Sequence, residues 1–86
     1  MPRYYFDIHE RDEIALDEEG LELPTTEAAW AEAARSLAGL ARDAIPGHQG
    51  THHQIAIEVR DDHGPVLTVK VTFEATRHKA LSEIKW

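Results

Sequence analysis

The chain has 86 residues with 42% apolar content, enough for one domain with a small helix-on-sheet core but too little for a deep, enclosed substrate cleft. Cysteine is absent, which excludes disulfides and cysteine-rich zinc sites. The net charge is −7 and residues 46–86 are balanced, so the first half carries the whole acidic excess and no basic patch indicates nucleic-acid binding.

The first segment, residues 3–16, has the alternation of a β-hairpin. Tyr4, Phe6 and Ile8 form one apolar side of a half-buried strand. After a polar turn at residues 10–12, Ile14 and Leu16 resume the alternation, and we expect both to face the core.

An acidic link over residues 17–24 joins this hairpin to an amphipathic helix. Gly20 is free to take a positive φ, and Thr25 or Thr26 is expected to cap the helix. Pro46 and the following glycine end it. The helix presents a predicted core-facing stripe, in which the tryptophan and the leucines supply most of the buried area. The stripe comprises Trp30, Ala33, Ala34, Leu37, Leu40, Ala41 and Ala44.

The remaining chain predicts a loop, a second hairpin and a tail. Residues 48–53 have no periodicity, whereas residues 54–60 and 67–74 alternate like paired strands around a turn. The fold class is therefore α+β, β-β-α-β-β, with an antiparallel sheet and one amphipathic helix on one face. We assign residues 1–74 to a single domain and residues 75–86 to a C-terminal extension.

The extension has helical spacing and predicts a short C-terminal helix that needs a surface to pack against. Its apolar residues are candidates for an interface between copies of the chain, together with an aromatic residue on the outer side of the first strand. These interface candidates are Leu81, Ile84, Trp86 and Tyr5.

The histidines invite a metal hypothesis. His48, His52 and His53 lie in the predicted loop, and the first two have the i, i+4 spacing that serves metal binding on a helix. Pro46 and Gly50 argue against a helix there, so we interpret the three as surface histidines and predict no metal and no cofactor.

An Asp–His pair and the acidic link give weaker hypotheses of a functional site. Asp7 and His9 share one side of the first strand, where the carboxylate would orient an imidazole for general-base catalysis. That side is the predicted solvent face and supplies no nucleophile, so we predict no enzyme activity. The acidic link lacks the donor spacing of an EF-hand, and we interpret it as a solvated connection.

Several motifs resemble those of a family of small, uncharacterised proteins from rhizobia and related alphaproteobacteria. They are the opening Pro2-Arg3-Tyr4-Tyr5-Phe6, the link Asp17-Glu18-Glu19-Gly20-Leu21-Glu22-Leu23, and the helix residues Ala28-Ala29 and Glu32-Ala33. The resemblance covers residues 2–73. It implies a compact α+β unit and brings no activity and no catalytic residues. Residues 3–45 also resemble antitoxin domains of the HicB type at the level of fold.

The sequence therefore favours a non-enzymatic protein-interaction or self-association module, most simply a homodimer. Two alternatives remain open: an antitoxin-like inhibitor that masks a basic protein with its acidic half, and metal or small-molecule binding through the histidine loop. No membrane-length apolar run is present, and the opening Met1-Pro2-Arg3 is unlike a signal peptide, so a cytoplasmic location is expected.

Overall fold

The computed structural model describes residues 1–47, 50–76 and 78. Its elements confirm the predicted β-β-α-β-β order and add one very short strand within the acidic link. The predicted C-terminal helix, with Leu81, Ile84 and Trp86, lies outside the described residues. In chain order the elements are β1 (Arg3–Glu10), β2 (Glu13–Ala15), β3 (Leu21–Glu22), α1 (Thr26–Ala44), β4 (His52–Asp61) and β5 (Gly64–Glu74).

The strands form one antiparallel sheet in the order β2-β1-β4-β5, and β3 also pairs with β1. Residues 13–22 therefore lie along one side of β1, while β5 forms the opposite edge of the sheet. In the centre, Ile57 pairs with Ile8 on one side and with Val69 on the other. This register places the apolar residues of three strands on one face.

The core lies between that face and α1. The β-branched residues Ile55, Ile57 and Val59 of β4 are at most 1% exposed, and each stabilises the fold by about 2 kcal/mol through burial. The helix meets them with Ala29 and Ala33, both fully buried. Because alanine ends at Cβ, it lets the helix backbone approach the sheet closely.

The start of α1 is fixed by its cap. Of the two predicted caps, Thr25 and Thr26, the structure uses Thr25. Its hydroxyl oxygen accepts a hydrogen bond from the Ala28 N–H at 3.0 Å. The next residue, Thr26, lies 3.4 Å from the Tyr4 hydroxyl, hydroxyl oxygen to hydroxyl oxygen. This contact joins the first turn of the helix to β1.

The predicted role of Trp30 in the core is wrong, because its side chain is 60% exposed. The buried stripe is centred on Ala33 and also contains Ala29 and Leu37, which leaves Trp30 on its flank. The close approach that the alanines permit leaves no room for an indole between helix and sheet.

The predicted inward orientation of Ile14 and Leu16 is also wrong, since they are 59% and 67% exposed. Ile14 pairs with His9, on the sheet face opposite the helix, and Leu16 follows with the same alternation. The strand β2 has three residues at the margin of the sheet, where α1 gives it no cover.

Candidate functional site

The acidic link closes one edge of the sheet around the carboxylate of Asp17. Residues 13–15 and 21–22 pair with the two ends of β1, and the link between them bulges away. Within this gap the N–H of Phe6 donates to Asp17 Oδ2 at 3.1 Å. A side chain thus supplies the acceptor that a paired strand would otherwise offer.

The same carboxylate also shapes the link itself. Its Oδ1 accepts the N–H groups of Glu19 and Gly20, each at 3.1 Å. A side-chain oxygen that binds backbone N–H groups two and three residues ahead defines a tight polar turn. Our interpretation of the link as a merely solvated connection is therefore wrong for Asp17, which is half-buried.

Gly20 lets the link approach β1. Its φ is +72°, and a Cβ built there would lie 2.8 Å from Arg3 Cγ and 2.9 Å from Tyr5 Cε1. A larger residue is disfavoured both by this close approach and by the backbone conformation. Across the link, Arg3 donates to the Glu19 carbonyl at 2.7 Å and to Glu22 Oε1 at 3.1 Å.

Arg60 of β4 ties the link to the centre of the sheet. Its Nε donates to Asp7 Oδ2 at 2.8 Å, and its Nη2 donates to the Asp17 carbonyl at 2.9 Å. The guanidinium lies 4.5 Å from the centre of the Tyr5 ring, which adds a cation–π contact. We call the set Tyr5, Asp7, Asp17, Gly20 and Arg60 the edge brace.

Asp7 is 3% exposed, so the prediction that it lies on an open solvent face is wrong. Arg60 covers it from β4, and the Asp17 N–H donates to Asp7 Oδ1 at 2.9 Å. Both carboxylate oxygens are engaged by these groups. The structure therefore does not use Asp7 to orient His9, as the general-base hypothesis required.

The brace holds its carboxylates ionised. Burial on its own raises the pKa of Asp7, but the hydrogen bonds from Arg60 and from the Asp17 N–H outweigh it and hold that pKa below the ordinary 3.8. Burial likewise opposes ionisation of Asp17, whose pKa is nevertheless lowered by the N–H groups that it accepts. The hydrogen bond to Asp7 in turn raises the pKa of Arg60. Such groups stabilise structure and are poor proton acceptors near neutral pH.

The predicted histidine loop is in part a strand. β4 begins at His52, so neighbouring histidines point to opposite faces of the sheet. His53 is 4% exposed and its Nε2 lies 2.8 Å from Glu10 Oε2, which contradicts its interpretation as a surface histidine. His52 Nδ1 lies 3.7 Å from Glu74 Oε1. His48 lies outside the described residues, and among those described no cluster of side chains suits a metal ion.

The opposite edge of the sheet is formed by β5 alone. Its eleven residues run from Gly64 to Glu74 and pair with β4 on one side. Across the part of the chain that the structure describes, no strand pairs with its other side. The register of β4 and β5 shifts at Val59/Arg60, where Pro65, which has no N–H, lies opposite Arg60 near the turn. Beyond this shift, β5 pairs with β4 in regular register from Leu67 to Glu74.

Comparison with known families matches residues 3–72 to a family described as Domain of unknown function (DUF6894). No curated protein and no solved structure matches the chain. In the described residues, no helix is both long and apolar enough to cross a membrane.

Proposed function

The chain belongs to the DUF6894 family, and we propose that its domain is a non-catalytic self-association module in which two copies pair through β5. The observation that carries this proposal is the unequal treatment of the two sheet edges. One edge is closed by the acidic link, while β5 offers a long backbone ladder with no partner among the described residues. Unpaired strand edges are the usual templates for pairing between chains.

The composition of β5 suits pairing with a second copy. Valine and threonine alternate along it, and its only charged residues are Lys70 and Glu74. Natural edge strands that avoid association are short or interrupted, or carry prolines and several charges. Here Pro65 lies at the beginning of the strand, where it leaves the middle free to form hydrogen bonds.

A two-fold axis through the middle of β5 gives a sterically simple dimer. Antiparallel pairing centred on Val69 places Lys70 opposite Thr68 of the other copy, so no like charges meet. The residue alternation then matches across the junction, and both helices lie on the same face of a continuous sheet. Such an interface uses the same surface twice and closes at two copies.

Pairing of β5 with the acidic edge of another copy is less favourable. That edge consists of strands of three and two residues, separated by the link. Residues 13–22 contain five acidic and no basic side chains. Head-to-tail contacts of this kind would also leave one edge of each kind free for further addition, which produces filaments instead of closed dimers.

The acidic edge supports a second candidate, the antitoxin-like inhibitor of a basic protein. The exposed carboxylates of Glu13, Glu18, Glu19 and Glu22 lie along one side of the domain. A field of one sign accelerates association with an oppositely charged partner. This role uses the edge opposite β5, so both interactions are compatible in one molecule.

The test of self-association is sedimentation equilibrium of the untagged full chain. We expect a reversible monomer–dimer equilibrium. The double substitution Thr68→Lys/Thr72→Lys adds two positive charges beside Lys70 on exposed positions of β5. Antiparallel pairing centred on Val69 then sets the lysine at position 68 opposite Lys70 of the other copy, and we expect the dissociation constant to rise about tenfold.

The matched control is Ala31→Lys/Ala38→Lys, which adds the same charge to exposed positions of α1. This control should keep the dissociation constant of the parent within about twofold, because its changes lie on exposed positions of α1 and outside the strand that forms the junction. A parent chain that stays monomeric at all concentrations would contradict the proposal. So would equal weakening by the two double substitutions, which indicates a general effect of net charge.

A further inference from the structure

The helix α1 has an apolar flank that the core does not use. Beside the buried positions, Trp30, Ala34 and Ala41 recur at spacings of four and seven residues, which place them along one side of the helix. The Trp30 side chain is 60% exposed, and Ala34 is exposed as well. We call these three residues the outer flank. The opposite flank of the same helix is polar and carries Glu32 and Ser36.

The outer flank lies on the β5 side of the helix. α1 packs mainly over β4 and β5, so β1 continues the sheet beneath one flank, whereas no strand of the described chain follows β5 beneath the other. On the polar flank, Ala28, Glu32 and Gly39 are half-buried although they point well away from the core, which indicates that this flank lies over β1. The exposed Trp30 and Ala34 therefore lie next to the free edge of the sheet.

The chirality of the chain gives the same side. Phe6 faces the helix, and its N–H points away from β4 toward Asp17, which fixes the side of β4 on which β1 lies. α1 begins beside Tyr4, next to the end of β4, so the helix and β4 run in opposite directions. In a right-handed helix with this direction, the residue after the buried Ala29 turns toward β5, and that residue is Trp30.

We propose that the outer flank binds the outer flank of a second copy, so that two α1 helices pack antiparallel beside the β5–β5 junction. The inference rests on the proposed pairing through β5, which brings both helices to one face of a continuous sheet. Each helix contacts both β4 and β5, and its axis therefore lies about half a strand spacing inside the edge. The two axes are then separated by two strand spacings, about 9–10 Å, which agrees with the distance of about 8–10 Å between packed helices.

The outer flank is complementary to itself across a two-fold axis. An axis midway between Trp30 and Ala41 sets the indole of one copy opposite Ala41 of the other, so a large side chain meets a small one. Tryptophan is among the residues that contribute most to binding at interfaces. A β5 ladder alone joins the two sheets along a narrow line, and the helix contact adds the apolar area that a stable dimer requires.

The first test is sedimentation equilibrium of Trp30→Ala in the untagged full chain. We expect the dissociation constant of the dimer to rise about tenfold or more, because the indole is exposed in a single copy and becomes buried only in the pair. The control Leu16→Ala removes another exposed apolar side chain, which lies beyond β2, and should leave the constant unchanged. An unchanged constant in Trp30→Ala would overturn the inference.

The second test introduces a single cysteine into a chain that has none. Ala34→Cys lies near the proposed two-fold axis, and we expect a short bis-maleimide to join two copies through it. Ser36→Cys, at an exposed position on the polar flank of the same helix, should stay uncross-linked. Equal cross-linking of the two variants, or none in Ala34→Cys, would contradict the contact between outer flanks.

Substitutions in β5 and in the outer flank separate the two contacts. If Thr68→Lys/Thr72→Lys keeps the dissociation constant of the parent while Trp30→Ala raises it, the helices associate without β5, and the proposed pairing of β5 is wrong. If only the β5 substitutions raise it, the outer flank takes no part in the dimer, and the inference is overturned. Ala31→Lys/Ala38→Lys remains a control for both, because these positions lie on the solvent side of the outer flank, where lysine side chains extend into water.

Discussion

The two edges of the sheet differ in whether their outward backbone N–H and C=O groups are covered. Along β1, residues 13–22 return as two short strands, and Asp17 fills the gap between them with a side-chain acceptor. Along β5 the structure describes no covering segment, and the strand is long, regular and nearly uncharged. One edge is thus protected by interruption and negative charge, whereas the other keeps the features that favour pairing.

The comparison shows that an irregular sheet edge requires specific polar residues, whereas a regular edge strand does not. The first edge needs a positive-φ glycine, a buried carboxylate and an arginine from β4 to hold an irregular link in place. The second edge needs none of these, since a regular strand satisfies its own inner ladder through β4. Changes at the two edges should therefore differ in kind: stability at the first and association at the second.

The largest expected effect comes from Asp17→Ala. This substitution leaves the N–H groups of Phe6, Glu19 and Gly20 without their acceptor, and we expect a loss of about 3 kcal/mol in the free energy of unfolding. That is a large part of the roughly 5–10 kcal/mol available to a small domain. Urea unfolding followed by circular dichroism measures it.

The control for this prediction is Glu18→Ala, which removes an exposed neighbouring carboxylate. Its effect should stay within about 0.5 kcal/mol. Equal unfolding midpoints for Asp17→Ala and Glu18→Ala would show that the link closes the edge without help from the Asp17 side chain.

A smaller loss, about 2 kcal/mol, is expected for Gly20→Ala. The added Cβ meets Arg3 and Tyr5 at less than 3.0 Å, and the residue must also keep a φ of +72°. Gly39→Ala is the matched control, because that helix position has nothing within 4 Å of the new Cβ. Thermal unfolding should show opposite signs, with Gly39→Ala more stable than the parent by up to about 1 kcal/mol. Two changes of the same sign would contradict the close approach at Gly20.

The smallest effect is a dependence on acid. The pKa values of Asp7 and Asp17 are lower in the folded protein than the ordinary 3.8. Their contribution to stability is therefore present above about pH 4 and is lost as the pH falls through the folded-state values. The urea midpoint of Asp7→Asn should fall less steeply between about pH 5 and pH 2 than that of the parent. The control Asp43→Asn, at an exposed helix position, should show the same pH dependence of the urea midpoint as the parent. If Asp7→Asn also shows the pH dependence of the parent, the edge brace is not the cause of that dependence.

The regular elements were predictable because their periodicity is set by burial on one face. Ile55, Ile57 and Val59 alternate cleanly, and the helix has the expected limits, with Thr25 as its cap. Trp30 was misplaced because hydrophobicity alone cannot distinguish the centre of a helix stripe from its flank. Small residues such as Ala29 and Ala33 determine which side approaches the sheet.

The edge brace was not predictable in the same way. Arg60 is separated from Asp7 by 53 residues, and nothing in the local sequence of either marks the partner. The pairing of Tyr5 with Arg60 across β1 and β4 would have indicated it, but that register depends on the whole sheet. For Asp17 the signal was local: an acidic residue three positions before a glycine is typical of a side-chain-bonded turn.

The most direct test of the central claim is amide hydrogen exchange of the full chain at low and high protein concentration. In an edge strand, alternate residues point their N–H and C=O groups away from the existing partner. The account predicts that every second amide of β5 gains protection as concentration rises, while the amides of residues 13–22 exchange at unchanged rates. Concentration-independent exchange along β5, or added protection at residues 13–22 instead, would contradict it.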